Sequence, residues 1–264
     1  MKKILRYFAF IYLLLFTVLI AVNIFFLKGQ SSLQNIDAIL QGPSILHWFG
    51  TDSLGRDIFL RVLSGGKVSL LIAIVCAPLT VAIGFAWGAI AAWSQGFADR
   101  ALMIFVDVFM ALPSFVLVAV FCFALQTWFS PIILLILAIS LTHWMAVARF
   151  SRGLVLEMKT KPFIEAAVAL GGTGSHIMIR HVLPNILSQL FVIALLQIPT
   201  SILYESYMSF VGLGIQPPET SLGLLVREGW KTLSVYPHLI LFPSMILFLT
   251  VWSIHILIDD LRGQ

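Results

Sequence analysis

The chain has 264 residues, of which 60% are hydrophobic and 11% charged, with a formal net charge of +4. A soluble domain of this size carries roughly a quarter of its residues as charges, so the composition excludes a water-soluble globular protein and places the chain in lipid. The excess of cations calls for no nucleic-acid partner, because the lysines and arginines are scattered and form no single basic run.

A hydrocarbon core about 30 Å thick takes about 20 apolar residues to cross as a helix, and only helices and closed barrels satisfy their backbone there. Stretches of that kind at residues 8–27, 69–93, 102–125, 132–148, 186–204 and 239–258 predict an all-α polytopic membrane protein with six transmembrane helices. The organisation expected is an N-terminal segment with the first span (1–27), an outer loop and entry segment (28–68), and a five-helix core (69–264) that includes the loop 149–185. The first stretch follows Lys2, Lys3 and Arg6, as a signal peptide would. Its apolar run exceeds the about 7–15 residues of a signal sequence and no clear small-x-small cleavage site follows, so it reads as an uncleaved span.

In the entry segment, Leu63-Ser64-Gly65-Gly66-Lys67 looks like the start of a transporter-ATPase signature and the end of a phosphate loop. A phosphate loop needs Ser or Thr after its lysine, between a strand and a helix. Val68 follows here and no strand–helix–strand pattern surrounds it. The glycines read instead as a turn entering the membrane, with Lys67 snorkelling at the water boundary.

The second stretch carries Gly84, Gly88 and Ala92 four residues apart, which lets a helix of this chain or of a partner approach closely. Cys76 and Cys122 fall inside spans, as small apolar residues do, and Pro78 and Pro113 predict kinks. Asp107 lies inside the third stretch, where a carboxylate is costly. Arg100, seven positions earlier and about two turns away, makes a structural ion pair or polar contact the first reading, with a substrate contact second.

With the N-terminus on the inner side, the loop 149–184 is the longest inner loop. Pro162 suits a first helical turn, Glu165 favours the dipole there, and Gly171-Gly172 ends a helix over about 163–170. A second short run, 175–181, leads through Pro184 to the fifth span. Two readings stand: docking into a groove of another protein, or an interfacial amphipathic helix with Ile164, Val168 and Leu170 toward lipid. Glu205, at the end of the fifth span, is a candidate polar contact or pathway residue. Gly212-Leu213-Gly214 has no strand before it and is no dinucleotide fingerprint.

His143 and His255 fall in spans, and His47, His238, His176 and His181 outside them, with no tight ligand spacing, so no metal site is expected. The chain lacks HExxH, GxSxG and a second deep carboxylate, which speaks against an intramembrane enzyme. With the N-terminus inside, Lys2, Lys3, Arg6, Arg100, Arg149, Arg152, Lys159, Lys161, Arg180 and Arg262 lie on inner segments. Lys28, Arg56, Arg61, Lys67, Arg227 and Lys231 then lie on outer ones, a modest positive-inside bias with both termini cytoplasmic.

Glu165-Ala166-Ala167, Gly171 and His181-Val182-Leu183-Pro184 together resemble the EAA loop of bacterial ABC importer permeases, with His181 where isoleucine is usual. His47-Trp48-Phe49-Gly50-Thr51-Asp52-Ser53-Leu54-Gly55-Arg56-Asp57-Ile58 and Ser209-Phe210-Val211-Gly212-Leu213-Gly214-Ile215-Gln216-Pro217-Pro218 are similar to blocks of the peptide and nickel importer permeases, specifically the second of their two permease subunits. Leu222 stands where those often have tryptophan. The resemblance implies a type I ABC importer permease fold with a cytoplasmic coupling helix, in a non-catalytic subunit of the bacterial inner membrane. It implies a sister permease as heterodimer partner, two cytoplasmic ATPase subunits and an external solute-binding protein. No cofactor is then bound by this chain itself, with ATP and Mg²⁺ in the ATPases. Carried over by position, Glu165, Ala166, Ala167 and Gly171 contact the ATPase, flanked by Pro162, His181 and Pro184. The cargo implied is a di- or oligopeptide, with nickel or a nickel chelate as the alternative. A channel would not need such a coupling loop.

Overall fold

The computed structural model describes residues 2–27 and 29–262; Lys28 and the side chains of Lys2 and Arg262, counted above among the topological charges, lie outside the described residues. The described chain is helical: α1 (Lys2–Phe26), α2 (Ile58–Ser94), α3 (Gly96–Met110), α4 (Ser114–Leu125), α5 (Pro131–Lys159), α6 (Pro162–Ala169), α7 (Gly174–Ile177), a π-helical turn Met178–Val182, α8 (Leu183–Val211), α9 (Leu222–Trp230) and α10 (His238–Arg262). Five helical stretches are long and apolar enough to cross a membrane, and six if α3 and α4 count as one span.

That pair corrects the third expected span. Residues 102–125 are not one helix, because α3 and α4 meet at 90°. Pro113 has no amide proton to continue the ladder and disfavours helical backbone at Leu112. The chain closes α3 with Ala111 N–H bonding Asp107 O at 3.1 Å and restarts with Val116 N–H on Pro113 O at 2.9 Å.

The second correction concerns residues 64–67, which are not a turn. α2 begins at Ile58 and passes straight through them. Its glycines serve close packing: a Cβ at Gly65 would stand 2.8 Å from the Ser221 carbonyl carbon, and one at Gly66 2.5 Å from the Phe16 ring. Phe16, Ile58, Val62, Leu63 and Leu222 form the core into which this end of α2 sinks.

The chain forms two compact units. One comprises residues to Ile74, Cys122–Ile136 and from Ile198 onward. Within it α1 lies on α10, where Tyr12 Oη donates to Ile246 O at 3.1 Å and Arg6 pairs with Asp260 at 2.9 Å. The loop before α2 folds back as a cap, with the Phe49 ring stacked on Phe242 at 4.3 Å and the Thr51 hydroxyl bonded to Ala38 O.

The other unit comprises Val75–Phe121 and Leu137–Gln197. Lipid offers no hydrophobic drive for helices to associate, so their contact rests on dispersion and close approach. A Cβ at Gly84 would sit 2.6 Å from Val147 Cβ, and one at Gly88 2.8 Å from Arg152 N, so α2 and α5 touch backbone to backbone. Beside this seam Val106, Leu117, Trp144, Met145 and Ala148 make a second small core.

Candidate functional site

The segment after α5 has the local chemistry its sequence asks for. Lys161 is the extended residue before α6, and Pro162 occupies its first turn, where an amide donor has no partner. At the other end Gly171 sits at φ +81°, a left-handed conformation that suits glycine. Gly171 N–H bonds Val168 O at 2.9 Å and Gly172 N–H bonds Ala167 O at 3.1 Å, so the last carbonyls are satisfied.

α6 is anchored by Ile164, which is 2% exposed and packs with Val155, Ile177 and Val182. This corrects the lipid-facing reading of Ile164: α5 and α7 close over it and offer denser contact than acyl chains do. Glu165 and Ala166 are exposed, Ala167 is half-buried, and Val168 and Leu170 project outward, Leu170 at 89% exposure. His181 lies in the π-helical turn and Pro184 is the second residue of α8; π turns recur at functional sites. Asn185 Nδ2 donates to His181 O at 2.6 Å across this junction.

Polar clamps tie the segment to α2 and α3. Lys159 Nζ donates to Ala92 O at 3.0 Å and stands 5.1 Å over the Trp93 ring, capping the C-terminal end of α2. Arg152 grips Asp99 with two bonds of 2.6 Å. Asp107 pairs with Arg149, not with Arg100 as expected, and both partners are more than half exposed. Seven residues of helix rise about 10 Å, farther than Arg100 conveniently reaches along its own axis, whereas α5 brings Arg149 alongside.

In the other unit Glu205 is fully buried. Its carboxylate accepts from Ser69 Oγ at 2.6 Å, Ser209 Oγ at 2.8 Å and Ser206 Oγ at 3.4 Å, with Ser221 as a further hydroxyl partner. Ser69 Oγ in turn accepts from Leu222 N–H, Ser209 Oγ from Ile215 N–H and Ser221 Oγ from Leu224 N–H. Each backbone donor occupies a lone pair and turns its hydroxyl toward Glu205, so α2, α8 and the start of α9 converge on one carboxyl group. Nearby Arg61, 2% exposed, bonds Asp52 and Glu228 at 2.6 Å each, and Arg56 joins Asp52 at 2.7 Å.

Two of the histidines serve local contacts. His47 meets Asp57 at 2.8 Å, and His143 Nδ1 donates to Ile139 O at 2.9 Å. Among the described residues no group of three or more His, Cys, Asp or Glu could hold a metal ion.

Residues 84–262 match the family described as "Binding-protein-dependent transport system inner membrane component". The chain belongs to this family. The permease is 32% identical to the oligopeptide transport system permease protein OppC of Bacillus subtilis, over 96% of its own length and 83% of the relative's. It is 38% identical to the protein of the same name from Haemophilus influenzae, over 82% and 68% of the two chains. With the glutathione transport system permease protein GsiD of Escherichia coli it shares 36% identity over 86% and 74%. Among solved structures, the inward-facing MetNI methionine ABC transporter superposes with a TM-score of 0.63 at 20% identity, covering 77% of this chain and 95% of that one. The permease therefore has the type I ABC importer fold and is a multi-pass component of the inner membrane, serving transport that depends on a solute-binding protein and an ATPase.

Two clusters of the permease escape a reading by local pattern. The serines around Glu205 come from three separate segments, and Arg61 meets Glu228 across 167 positions. The one signal available was Asp52 and Arg56 inside a block already singled out by resemblance.

Proposed function

We propose that this permease carries di- and oligopeptides across the inner membrane, paired with a sister permease and driven by two cytoplasmic ATPase subunits that hold the ATP and Mg²⁺. A solute-binding protein delivers the peptide on the outer side, and both termini of the permease lie in the cytoplasm. The observation that carries the reading is the set of oligopeptide permeases that resemble the chain over most of its length. It favours peptide over nickel, since those relatives and the glutathione permease are named for peptides.

In this reading α6 is the coupling helix. Exposed Glu165 makes a polar contact with the ATPase, Ala166 and Ala167 allow close approach, and Gly171 makes the turn. Ile164, the Lys159–Ala92 bond and the α2–α5 seam give the motion a rigid route: a push on α6 moves the ends of α5 and α2 with it. ATP binding draws the ATPases together and opens the pathway outward, and hydrolysis with product release returns it inward. A peptide shifts that equilibrium only through different affinity for the two states.

The test is ATP-driven uptake into vesicles that contain the permease, its sister, the ATPases and the binding protein, with labelled dipeptide, labelled oligopeptide or nickel supplied. Peptide uptake above the nucleotide-free control is the expected result. Nickel uptake without peptide uptake would replace the cargo, and uptake that proceeds without nucleotide would overturn the importer.

A further inference from the structure

A groove of about 340 Å³ runs beside the candidate coupling segment, between the last turns of α2 and the α7 region. Its walls are apolar: Ala89, Ile90 and Trp93 on one side, Gly174, Met178 and Ile179 on the other. Gly174 makes the fit possible, because a Cβ there would collide with the Trp93 indole. Ile90 and Ile179 are more than half exposed along it.

Depth and charge together identify the occupant. The uncharged run of α2, residues 68–94, is about 40 Å long and matches a bilayer with its headgroups. Trp93 and Ser94 end that run, so the groove opens where acyl chains give way to headgroups, the level at which tryptophan settles. Cations stand at this mouth: Lys159 lies over the Trp93 ring, and Arg180 is exposed immediately after Ile179. Of the neighbouring acids, Glu157 is engaged by Lys161 at 3.3 Å, and Asp99, gripped by Arg152, also attracts Lys159, so four cations stand around two acids. An apolar slot with a net positive rim suits one amphiphile, a phospholipid with a negative headgroup.

We infer that this groove holds an acyl chain of an anionic phospholipid from the cytoplasmic leaflet, with its phosphate against Lys159 and Arg180. The inference rests on the orientation proposed above. The lipid braces α7 against α2, and so stiffens the segment that follows α6.

The experiment places the whole complex in nanodiscs of phosphatidylcholine alone or of phosphatidylcholine with phosphatidylglycerol, and reads retained lipid by native mass spectrometry. The wild type is expected to keep phosphatidylglycerol selectively. Arg180→Gln should lower that retention about fivefold, the worth of one cation at a membrane surface, and Met178→Trp, which fills the slot, should abolish it. Peptide-stimulated ATPase should rise with phosphatidylglycerol in the wild type and stay at its phosphatidylcholine level in both variants. Equal retention in wild type and variants overturns the site. Variants that lose ATPase in phosphatidylcholine alone, with retention unchanged, also overturn it and assign the groove to the ATPase. Because retention is read without cargo, a failure of the peptide reading leaves this result standing.

Discussion

Replacing Glu205 tests whether its serines are fixed as donors. Glu205→Ala removes the acceptor of two short bonds, from Ser69 at 2.6 Å and Ser209 at 2.8 Å. A buried hydroxyl left without its acceptor costs about 1–3 kcal/mol. A net loss of about 2–4 kcal/mol follows, which lowers the apparent Tm of the purified complex by about 5–15 °C. Glu205→Gln keeps the shape but turns its NH₂ toward one of two hydroxyls that Leu222 N–H and Ile215 N–H hold as donors. It should therefore lose about 1–3 kcal/mol, and adding Ser209→Ala should cost less in that background than in the wild type. A glutamine variant that melts at or above the wild type would refute the donor arrangement, and with it the account of how α2, α8 and α9 are joined.

Arg61→Met leaves Glu228 without its short partner and should cost about 3–5 kcal/mol, seen as lost melting temperature that Glu228→Gln partly restores. Gly88→Leu forces α2 off α5 and should cost at least about 1–3 kcal/mol, measured as reduced yield of folded protein in detergent. Arg149→Ala, by contrast, breaks a pair exposed on both sides and should change stability by less than about 1 kcal/mol in the same melting assay. Glu165→Lys and Gly171→Val should insert normally but lose peptide-stimulated ATPase and uptake; at φ +81° the valine adds about 1–3 kcal/mol of local strain. Normal coupling in both would remove α6 from the ATPase contact.

Most of the helical plan is legible because a span is a compositional signal, and runs such as residues 239–258 need no neighbour to be recognised. Helix ends at Pro162 and Gly171 are equally local, since a missing donor and a left-handed backbone belong to single residues. Pro113 marks the place of a bend but not its size, which depends on how α3 and α4 pack with α5 through Val106, Leu117 and Trp144. The pair Gly65-Gly66 misleads for a related reason: glycine marks both turns and close contacts, and only Ser221 and Phe16 decide between them. Ile164 on an eight-residue helix suits lipid or core alike until α5 and α7 are in place. Asp107 announces the need for a partner, yet the partner lies 42 positions away. Glu205 shows the limit most plainly, because no periodicity links Ser69, Ser209 and Ser221.

The first ten residues of α2 have a consequence for biosynthesis. Residues 58–67 include two adjacent glycines, each about 1 kcal/mol less favourable in a helix than alanine, which weakens this stretch as a helix during synthesis. What holds them is Phe16, already made, together with Ser221, Leu222 and Glu228, which leave the ribosome much later. This end of α2 therefore matures after its own membrane crossing, once the last third of the chain has arrived. A nascent chain cut short before residue 221 should carry this stretch loose and open to a protease added from that side, and completion of α9 should shield it.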